Sequence, residues 1–224
     1  MWPYWFLFLI PAFQATIKLR QPRENFQLDR WPNTWRLVFI LLVSMIGMRH
    51  EVGGDWTTYI RQLNDATGTS IEEMFSDGEP AYSLLNWIAA QSGLGVYLVN
   101  SIFALLFTWG LLSFCRVQPR PWLALVVAVP YLITVVAMGY SRQGVAIGLA
   151  LLGLVALQNK NTWKFMLWVG LAATFHKSAI ILMPLAVLAG SKRPIFTLFL
   201  VVVTSALLFG LLLQEYVDFL VAGY

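Results

Sequence analysis

The stretch WKFMLWVGLAATFHKSAIILMPLAVLAG, residues 163–190, decides how this chain is folded. It is apolar over most of its length and is interrupted near its centre by His176 and Lys177. We predict two short helices here, roughly 164–175 and 179–190, that meet at this polar pair. Irregular backbone at membrane depth persists only where it lines a cavity or is buried in protein, and paired short apolar segments often mark a binding site.

The basic residues set the topology of the apolar segments. Lys and Arg gather in loops that face the cytoplasm. Two short helices in 163–190 leave Lys192 and Arg193 on that side, in agreement with the other basic loops, whereas one long helix would place them outside. The remaining predicted helices are 2–17, 37–48, 80–92, 94–115, 122–138, 143–157 and 195–214.

The composition is far from that of a soluble domain. Hydrophobic residues make up 58% of the chain and charged residues 12%, and the mean hydropathy is +0.68. We predict an all-α fold: a polytopic helical membrane protein with one integral membrane domain over 1–224, and about seven to eight membrane segments including short or re-entrant helices. Topological anchors account for the formal charge of +4, so no nucleic-acid partner is expected. Cys115 stands alone, which rules out an internal disulfide.

Four basic residues depart from the cytoplasmic pattern, because the topology places them at the outer face: Arg49, Arg61, Arg142 and Lys177. The outer polar region 49–79 supplies candidate partners for them. Its acids are Glu51, Asp55, Asp65, Glu72, Glu73, Asp77 and Glu79. A cationic cluster on the outer face, beside apolar helices, suggests an anionic substrate presented by the bilayer.

Arg142 and Lys177 are the strongest candidates for anion binding. Each stands near the start of a helix at the outer face, where a cation opposes the helix dipole. A bound phosphate would reverse that balance, since the helix end and the side chain would then act together, and arginine donates two parallel hydrogen bonds to phosphate oxygens. The alternative is an internal salt bridge to one of the outer acids. His176 can donate or accept a proton near neutral pH, or serve as a hydrogen-bonded structural residue.

Other polar residues of the outer region have structural alternatives. Asp55 precedes an amphipathic pattern and is well placed as a helix N-cap, and Arg61 fits the solvated face of that helix. The stretch 70–73 fits a capping box. The run 77–79 fits a turn before a proline better than a divalent-ion site. Because no histidine and acid spacing matches a zinc pattern, we predict neither a metal nor a cofactor.

Four short segments follow one another along the chain on the predicted outer loops. They are Arg49 with Val52-Gly53-Gly54-Asp55-Trp56 and Tyr59, then Glu79-Pro80, Ser141-Arg142-Gln143 and Phe175-His176-Lys177-Ser178-Ala179. Together they resemble the EpsG family of polysaccharide-assembly membrane proteins, which are relatives of the Wzy-type oligosaccharide repeat-unit polymerases. The resemblance covers roughly 40–190.

The resemblance implies a glycosyltransferase-C-like enzyme of the bacterial inner membrane, active at its periplasmic or outer face. It would join undecaprenyl-pyrophosphate-linked oligosaccharide repeat units during exopolysaccharide, capsule or O-antigen synthesis. Expected partners are the lipid-linked oligosaccharide, membrane lipids, and flippase and chain-length regulator proteins. Family members usually continue through several more spans, so a fragment or a shortened homologue is expected.

The resemblance also suggests roles for individual residues. Arg49, Arg142 and Lys177 would bind the pyrophosphate; Asp55 or Glu79 would accept the proton of the attacking hydroxyl; His176 would orient the pyrophosphate or relay the proton. The supporting residues would be Gly54, Tyr59, Gln143 and Ser178. Two other functions use the same residues: a transporter or flippase of an anionic lipid-linked substrate, and a non-catalytic scaffold in a synthase complex.

Overall fold

Helices are the only regular secondary structure in the part of the chain that the structure describes. This computed structural model describes residues 2–18, 31–68, 70 and 79–185, with isolated positions at 195, 198–199, 202–203 and 206. The α-helices are α1 Trp2–Lys18, α2 Asn33–Gly47, α3 Trp56–Ala66, α4 Pro80–Ser92, α5 Gly95–Val117, α6 Pro121–Ala128, α7 Ser141–Gln158 and α8 Thr162–Phe175. A π-helical segment, Val129–Ala137, continues α6, and a 3-10 helix, Lys177–Leu182, follows α8.

The predicted all-α class is confirmed, and most predicted helices match within a few residues. The start of the second helix, predicted at residue 37, is wrong: α2 begins at Asn33. Trp35 is buried there and stacks on Trp122 with ring centroids 4.3 Å apart. This packing stabilises the first turn of α2, although the polar residues around Trp35 suggested a loop. Most of the predicted helix 195–214, residues 71–73 of the capping box and residues 186–190 of the predicted helix 179–190 lie outside the described residues.

The break at His176 is confirmed. Helix α8 ends at Phe175, and His176 has extended backbone, with φ −154° and ψ 114°. The chain then enters the 3-10 helix in place of an α-helix. This change of direction brings His176 to the end of α8 rather than to the middle of a long helix.

Helix α5 lies between two apolar clusters. One cluster packs α1, α2 and α6 against it through residues that include Phe107 and Leu111. The other packs α3, α4, α7 and α8 against it through Val99 and Phe103. Because α5 belongs to both, its position fixes the relative placement of the helices that carry the polar residues.

Helices α5 and α7 cross at glycines. A Cβ atom on Gly110 would lie 1.8 Å from the carbonyl oxygen of Gly148, and one on Gly148 would lie 2.5 Å from the Cα of Phe107. Small residues allow helix backbones to approach this closely, a common way of packing membrane helices. The crossing holds α7 firmly against α5.

The π-helical segment after α6 has a local cause. Pro130 has no N–H, so it cannot continue the α-helical hydrogen-bond ladder, and the Thr134 hydroxyl donates to the Val129 carbonyl at 2.8 Å. From the sequence, 122–138 was predicted as one regular span, so this change was not expected. The helical path ends at Gly139, and α7 starts at Ser141.

The motif segments identified from the sequence lie at one end of the bundle, which we call the motif end. There α2 and α8 end, and α3, α4 and α7 begin. The basic residues Arg116, Arg120, Lys160 and Lys164 flank the other ends of α5, α7 and α8. The charge asymmetry used to assign the loops therefore corresponds to two opposite ends of the helix bundle.

Among the described residues, two helices are long and apolar enough to cross a membrane, Gly95–Val117 and Ser141–Gln158. Three shorter apolar helices cover Tyr4–Ile17, Asn33–Gly47 and Pro121–Ala137. The count of seven to eight membrane segments and the glycosyltransferase-C-like arrangement stay predictions.

Candidate functional site

Arg49 is buried at the junction between the π-helical segment and α7. It is 6% exposed. Its guanidinium donates to the carbonyl oxygen of Ala137 at 2.8 Å, to Asn100 Oδ1 at 3.0 Å and to the hydroxyl of Ser141. None of the described carboxylates forms an ion pair with it. Arg49 therefore lies among neutral acceptors.

These contacts explain why a cation lies at this junction. The last carbonyl groups of a helix lack intrahelical partners, and a positive charge is favourable at a helix C-terminus. Arg49 satisfies the Ala137 carbonyl and holds Ser141, the first residue of α7. It joins the end of one helix to the start of the next.

Gly53 supports the same junction. Its φ is +106°, and a Cβ atom would lie 2.5 Å from the Met138 carbonyl oxygen. Glycine is the residue that accepts both this φ and this approach. Gly54 is the glycine that the sequence suggested as a supporting residue. A Cβ atom added to it would have no neighbouring atom within 4 Å. The closely packed glycine of the pair is thus Gly53.

Tyr59 connects Asp55 to the start of α7. Its hydroxyl donates to Asp55 Oδ2 at 3.4 Å, and it lies close enough to Ser141 and the backbone of Arg142 to be influenced by both. Burial, and then the charge of Asp55, raise the pKa of Tyr59. Asp55 has the predicted N-cap position of α3, but its side chain makes no capping hydrogen bond. The carboxylate faces Tyr59 instead.

Glu79 joins two of the predicted site residues. Its Oε2 accepts a hydrogen bond from Arg142 at 2.9 Å, and its Oε1 lies 3.1 Å from His176 Nδ1. The side chain of Glu79 is 12% exposed, while Arg142 is 30% and His176 27% exposed. The internal salt bridge considered for Arg142 is therefore present, and it is partly open to the surroundings.

The charge on Glu79 is stabilised by its neighbours. Burial alone raises the pKa of a carboxyl group. The hydrogen bond with His176 and the positive charge of Arg142 outweigh burial and hold the pKa of Glu79 below its ordinary value. Glu79 is therefore ionised at neutral pH and offers a negative charge to both partners.

Tyr82 lies beneath Arg142. The guanidinium carbon is 5.1 Å from the centroid of the Tyr82 ring, within the range of a cation–π contact. The Tyr82 hydroxyl donates to Gln62 Oε1 at 2.6 Å, which fixes the ring against α3. Arg142 is thus held between an aromatic face and a carboxylate.

The other predicted residues lie at the edge of this group. Lys177 is half-buried beside His176 and makes no ion pair with a described residue. Gln143 and Ser178 are exposed. No group of three or more His, Cys, Asp or Glu side chains within the described ranges could hold a metal ion.

Two residues of the site were missed by the sequence analysis. Asn100 is a buried polar residue in an apolar helix, and Tyr82 follows the helix-starting Pro80 by two positions. An asparagine in the middle of an uncharged run is a usable signal, since buried polar groups need partners. Nothing in the sequence marks Tyr82 among so many aromatic residues.

The comparisons with known proteins give one match. The sequence model described as the EpsG family matches residues 33–223, a range that contains every site residue named above. Comparisons with curated proteins and with solved structures returned no match.

Proposed function

This chain belongs to the EpsG family, and from that premise we propose that it is a membrane glycosyltransferase that polymerises lipid-linked oligosaccharides. The family places it among exopolysaccharide-related membrane proteins. In the proposed reaction, it joins undecaprenyl-pyrophosphate-linked repeat units at the periplasmic or outer face of the bacterial inner membrane. The motif end would face that side.

The observation that carries the proposal is the convergence of the motif segments. Arg49 reaches Ser141 over 92 positions of sequence, and His176 reaches Glu79 over 97. Since Ser141 and Arg142 are neighbours, these contacts form one connected polar group. A connected group of cations and carboxylates beside apolar helices suits a reaction between lipid-linked anions.

Arg142 is the residue that we assign to the pyrophosphate. Its partial exposure lets a ligand reach it, and its present partner is a carboxylate that an incoming phosphate can replace. Arginine binds phosphate in the same forked geometry as it binds carboxylate. Lys177, beside His176, would add a second positive charge on the same side.

Arg49 fits a supporting role better than direct binding. The two terminal nitrogens of its guanidinium already donate to Ala137, Asn100 and Ser141, and the side chain is almost fully buried. A phosphate could reach it only if the junction opened. We assign Arg49 to positioning Ser141 and, through the helix start, Arg142.

The two candidate bases differ in their environment. Both oxygens of Glu79 are engaged, and its lowered pKa makes it a weak proton acceptor at neutral pH. Asp55 has one oxygen near Tyr59 at 3.4 Å, and its other oxygen has no hydrogen-bond partner among the described residues. We therefore assign the base to Asp55, and treat Glu79 as the residue that positions Arg142 and His176.

The chemistry proceeds by substitution at the anomeric carbon of the donor. A hydroxyl oxygen of the acceptor sugar attacks that carbon and loses its proton to Asp55. The bond between the anomeric carbon and the pyrophosphate oxygen breaks, and the lipid pyrophosphate leaves with the electron pair. Arg142, with Lys177 and His176, stabilises the charge that develops on the leaving group, and such preorganised charge is commonly a large part of catalysis.

The test uses purified protein in liposomes with labelled lipid-linked repeat units. The proposal predicts a ladder of polymers longer than one repeat, which is absent with Asp55→Asn. Repeat units that cross the bilayer without new glycosidic bonds would contradict the polymerase and support a flippase. No product and no crossing, despite association with other synthase proteins, would support a scaffold.

A further inference from the structure

Three aromatic rings from separate elements form a small cluster on the outside of the motif end. His50 lies in the loop after α2, Trp56 begins α3, and Tyr97 lies in the first turn of α5. The ring of His50 lies parallel to that of Tyr97, with interplanar angle 19° and centroids 6.3 Å apart. Trp56 meets His50 edge-on at 5.6 Å.

A hydrogen bond fixes the cluster. His50 Nδ1 lies 2.7 Å from the Tyr97 hydroxyl, so the loop is tied to α5 at this point. The side chain of His50 is 66% exposed and Tyr97 is 45% exposed. His50 is thus mostly exposed and Tyr97 nearly half exposed, while Trp56 is partly buried against the neighbouring apolar cluster.

The cluster is continuous with the site. His50 follows Arg49, whose side chain points into the protein, and Trp56 follows Asp55, the proposed base. A ligand resting on the Trp56 ring would lie on the residue that follows Asp55 in sequence. This is where the proposed reaction needs the acceptor sugar.

The polar groups at the rim indicate the kind of ligand. Glu51 Oε1 lies 3.9 Å from His50 Nε2, and Asp55 immediately precedes Trp56 in sequence. Carboxylates accept hydrogen bonds from hydroxyl groups and repel phosphates. Aromatic rings with polar edges suit a ligand that has one apolar face and one hydrated, polar face. Sugar rings have an apolar C–H face and a rim of hydroxyls, whereas anionic lipid headgroups would meet like charge here.

We propose that His50, Trp56 and Tyr97 form a stacking site for a sugar ring of the acceptor saccharide. The site binds the saccharide itself, separately from the pyrophosphate at Arg142. Its placement as an acceptor site rests on the proposed polymerase function.

The experiment measures the binding of two separate probes to the full chain in detergent micelles by isothermal titration. One probe is the oligosaccharide repeat unit of the source strain, freed of lipid and pyrophosphate by mild acid. The other is inorganic pyrophosphate. The variant carrying both Trp56→Ala and Tyr97→Ala should bind the oligosaccharide about tenfold more weakly, on the scale of ring contacts of this kind, and should bind pyrophosphate as the wild type does.

Two further variants separate stacking from folding. Trp56→Phe keeps a ring and should retain most of the affinity, even if the alanine variant unfolds. Trp163→Ala removes an equally large exposed ring at the start of α8, far from the motif end, and should leave the affinity for both probes unchanged.

The outcomes distinguish this site from the polymerase proposal. Oligosaccharide binding that depends on these rings, in a protein that forms no polymer, supports the stacking site while the polymerase fails. Wild-type protein that does not bind the oligosaccharide overturns the site. Unchanged oligosaccharide affinity in the alanine variant overturns it as well. If that variant also associates less with lipid nanodiscs, the rings are interfacial anchors instead of a sugar site.

Discussion

Arg49 and Arg142 lie at the same helix start, yet their surroundings differ in almost every respect. Arg49 is 6% exposed, and its three acceptors are neutral groups of the protein. Arg142 is 30% exposed and is paired with one carboxylate. The sequence analysis gave both residues the same role, as ligands of an anionic substrate.

The difference separates a structural cation from an exchangeable one. A buried guanidinium that donates to three internal acceptors stabilises the fold, and removing it leaves unpaired polar groups. A partly exposed ion pair contributes less to stability than a fully buried one, and in the proposed function a substrate anion replaces its carboxylate. We therefore expect Arg49 to stabilise the fold of the motif end and Arg142 to bind the substrate.

The largest effect is expected for Arg49→Ala. It leaves the Ala137 carbonyl, Asn100 and Ser141 without their donor, so the free energy of unfolding should fall by about 3 kcal/mol or more. Thermal unfolding followed by tryptophan fluorescence in detergent measures the change. Arg49→Lys should recover only part of it, because an ammonium group cannot reproduce the forked geometry. Full stability combined with loss of activity would instead make Arg49 a direct substrate ligand.

The next effect, for Arg142→Ala, should appear in activity. Polymer formation should fall by about 10²-fold, on the scale of losing one donor to a developing negative charge, while the unfolding free energy changes by about 1 kcal/mol or less. Arg61→Ala is the matched control, because Arg61 is an exposed arginine on α3. Equal activity in the two variants would remove Arg142 from the chemistry.

Gly53 gives a third test, directed at the Arg49 junction. Gly53→Ala forces a Cβ atom against Met138 at a φ of +106°, so the unfolding free energy should fall by about 2 kcal/mol. Gly54→Ala, with open space around the new methyl group, should change it by less than about 0.5 kcal/mol. A reversed order of the two variants would show that the loop packs differently against the helix junction.

The smallest effect is expected from acid, and only around Arg142. The pKa of Glu79 is held below its ordinary value of 4.5, so the unfolded state binds a proton more readily than the folded state. The stabilisation is complete above about pH 4.5 and is lost as the pH falls through the lower folded pKa. Unfolding measured between pH 6 and 3 should show this slope, on the order of 1 kcal/mol or less for a partly exposed pair. Glu79→Gln should lack it, whereas Arg49, with no described carboxylate partner, should contribute none.

The sequence predicted the helices and the gathering of the motif segments, and the reasons are physical. Charge asymmetry assigned Arg49, Arg142 and His176 to one side, and short loops between helices then bring such residues to a common end. The polar pair in the middle of 163–190 predicted the break at His176. Both signals depend only on the types of residues and their positions along the chain.

The sequence could not distinguish the two arginines, because burial depends on packing across the whole bundle. Asn100, about fifty positions from Arg49, decides where its guanidinium lies. The choice of Gly53 over Gly54 depends on the approach of Met138, and the π-helical segment depends on how Pro130 is accommodated within α6. Each of these is a tertiary contact that no local pattern records.

The exchange of Glu79 for a substrate anion at Arg142 is the central claim, and pyrophosphate titration of three proteins tests it most directly. Isothermal titration would compare the wild type, Arg142→Ala and Glu79→Gln under one set of conditions. We predict that Arg142→Ala binds pyrophosphate at least about tenfold more weakly, and that Glu79→Gln binds it more tightly because the competing carboxylate is gone. Equal affinity in all three proteins, or weaker binding by Glu79→Gln, would contradict an exchangeable ion pair.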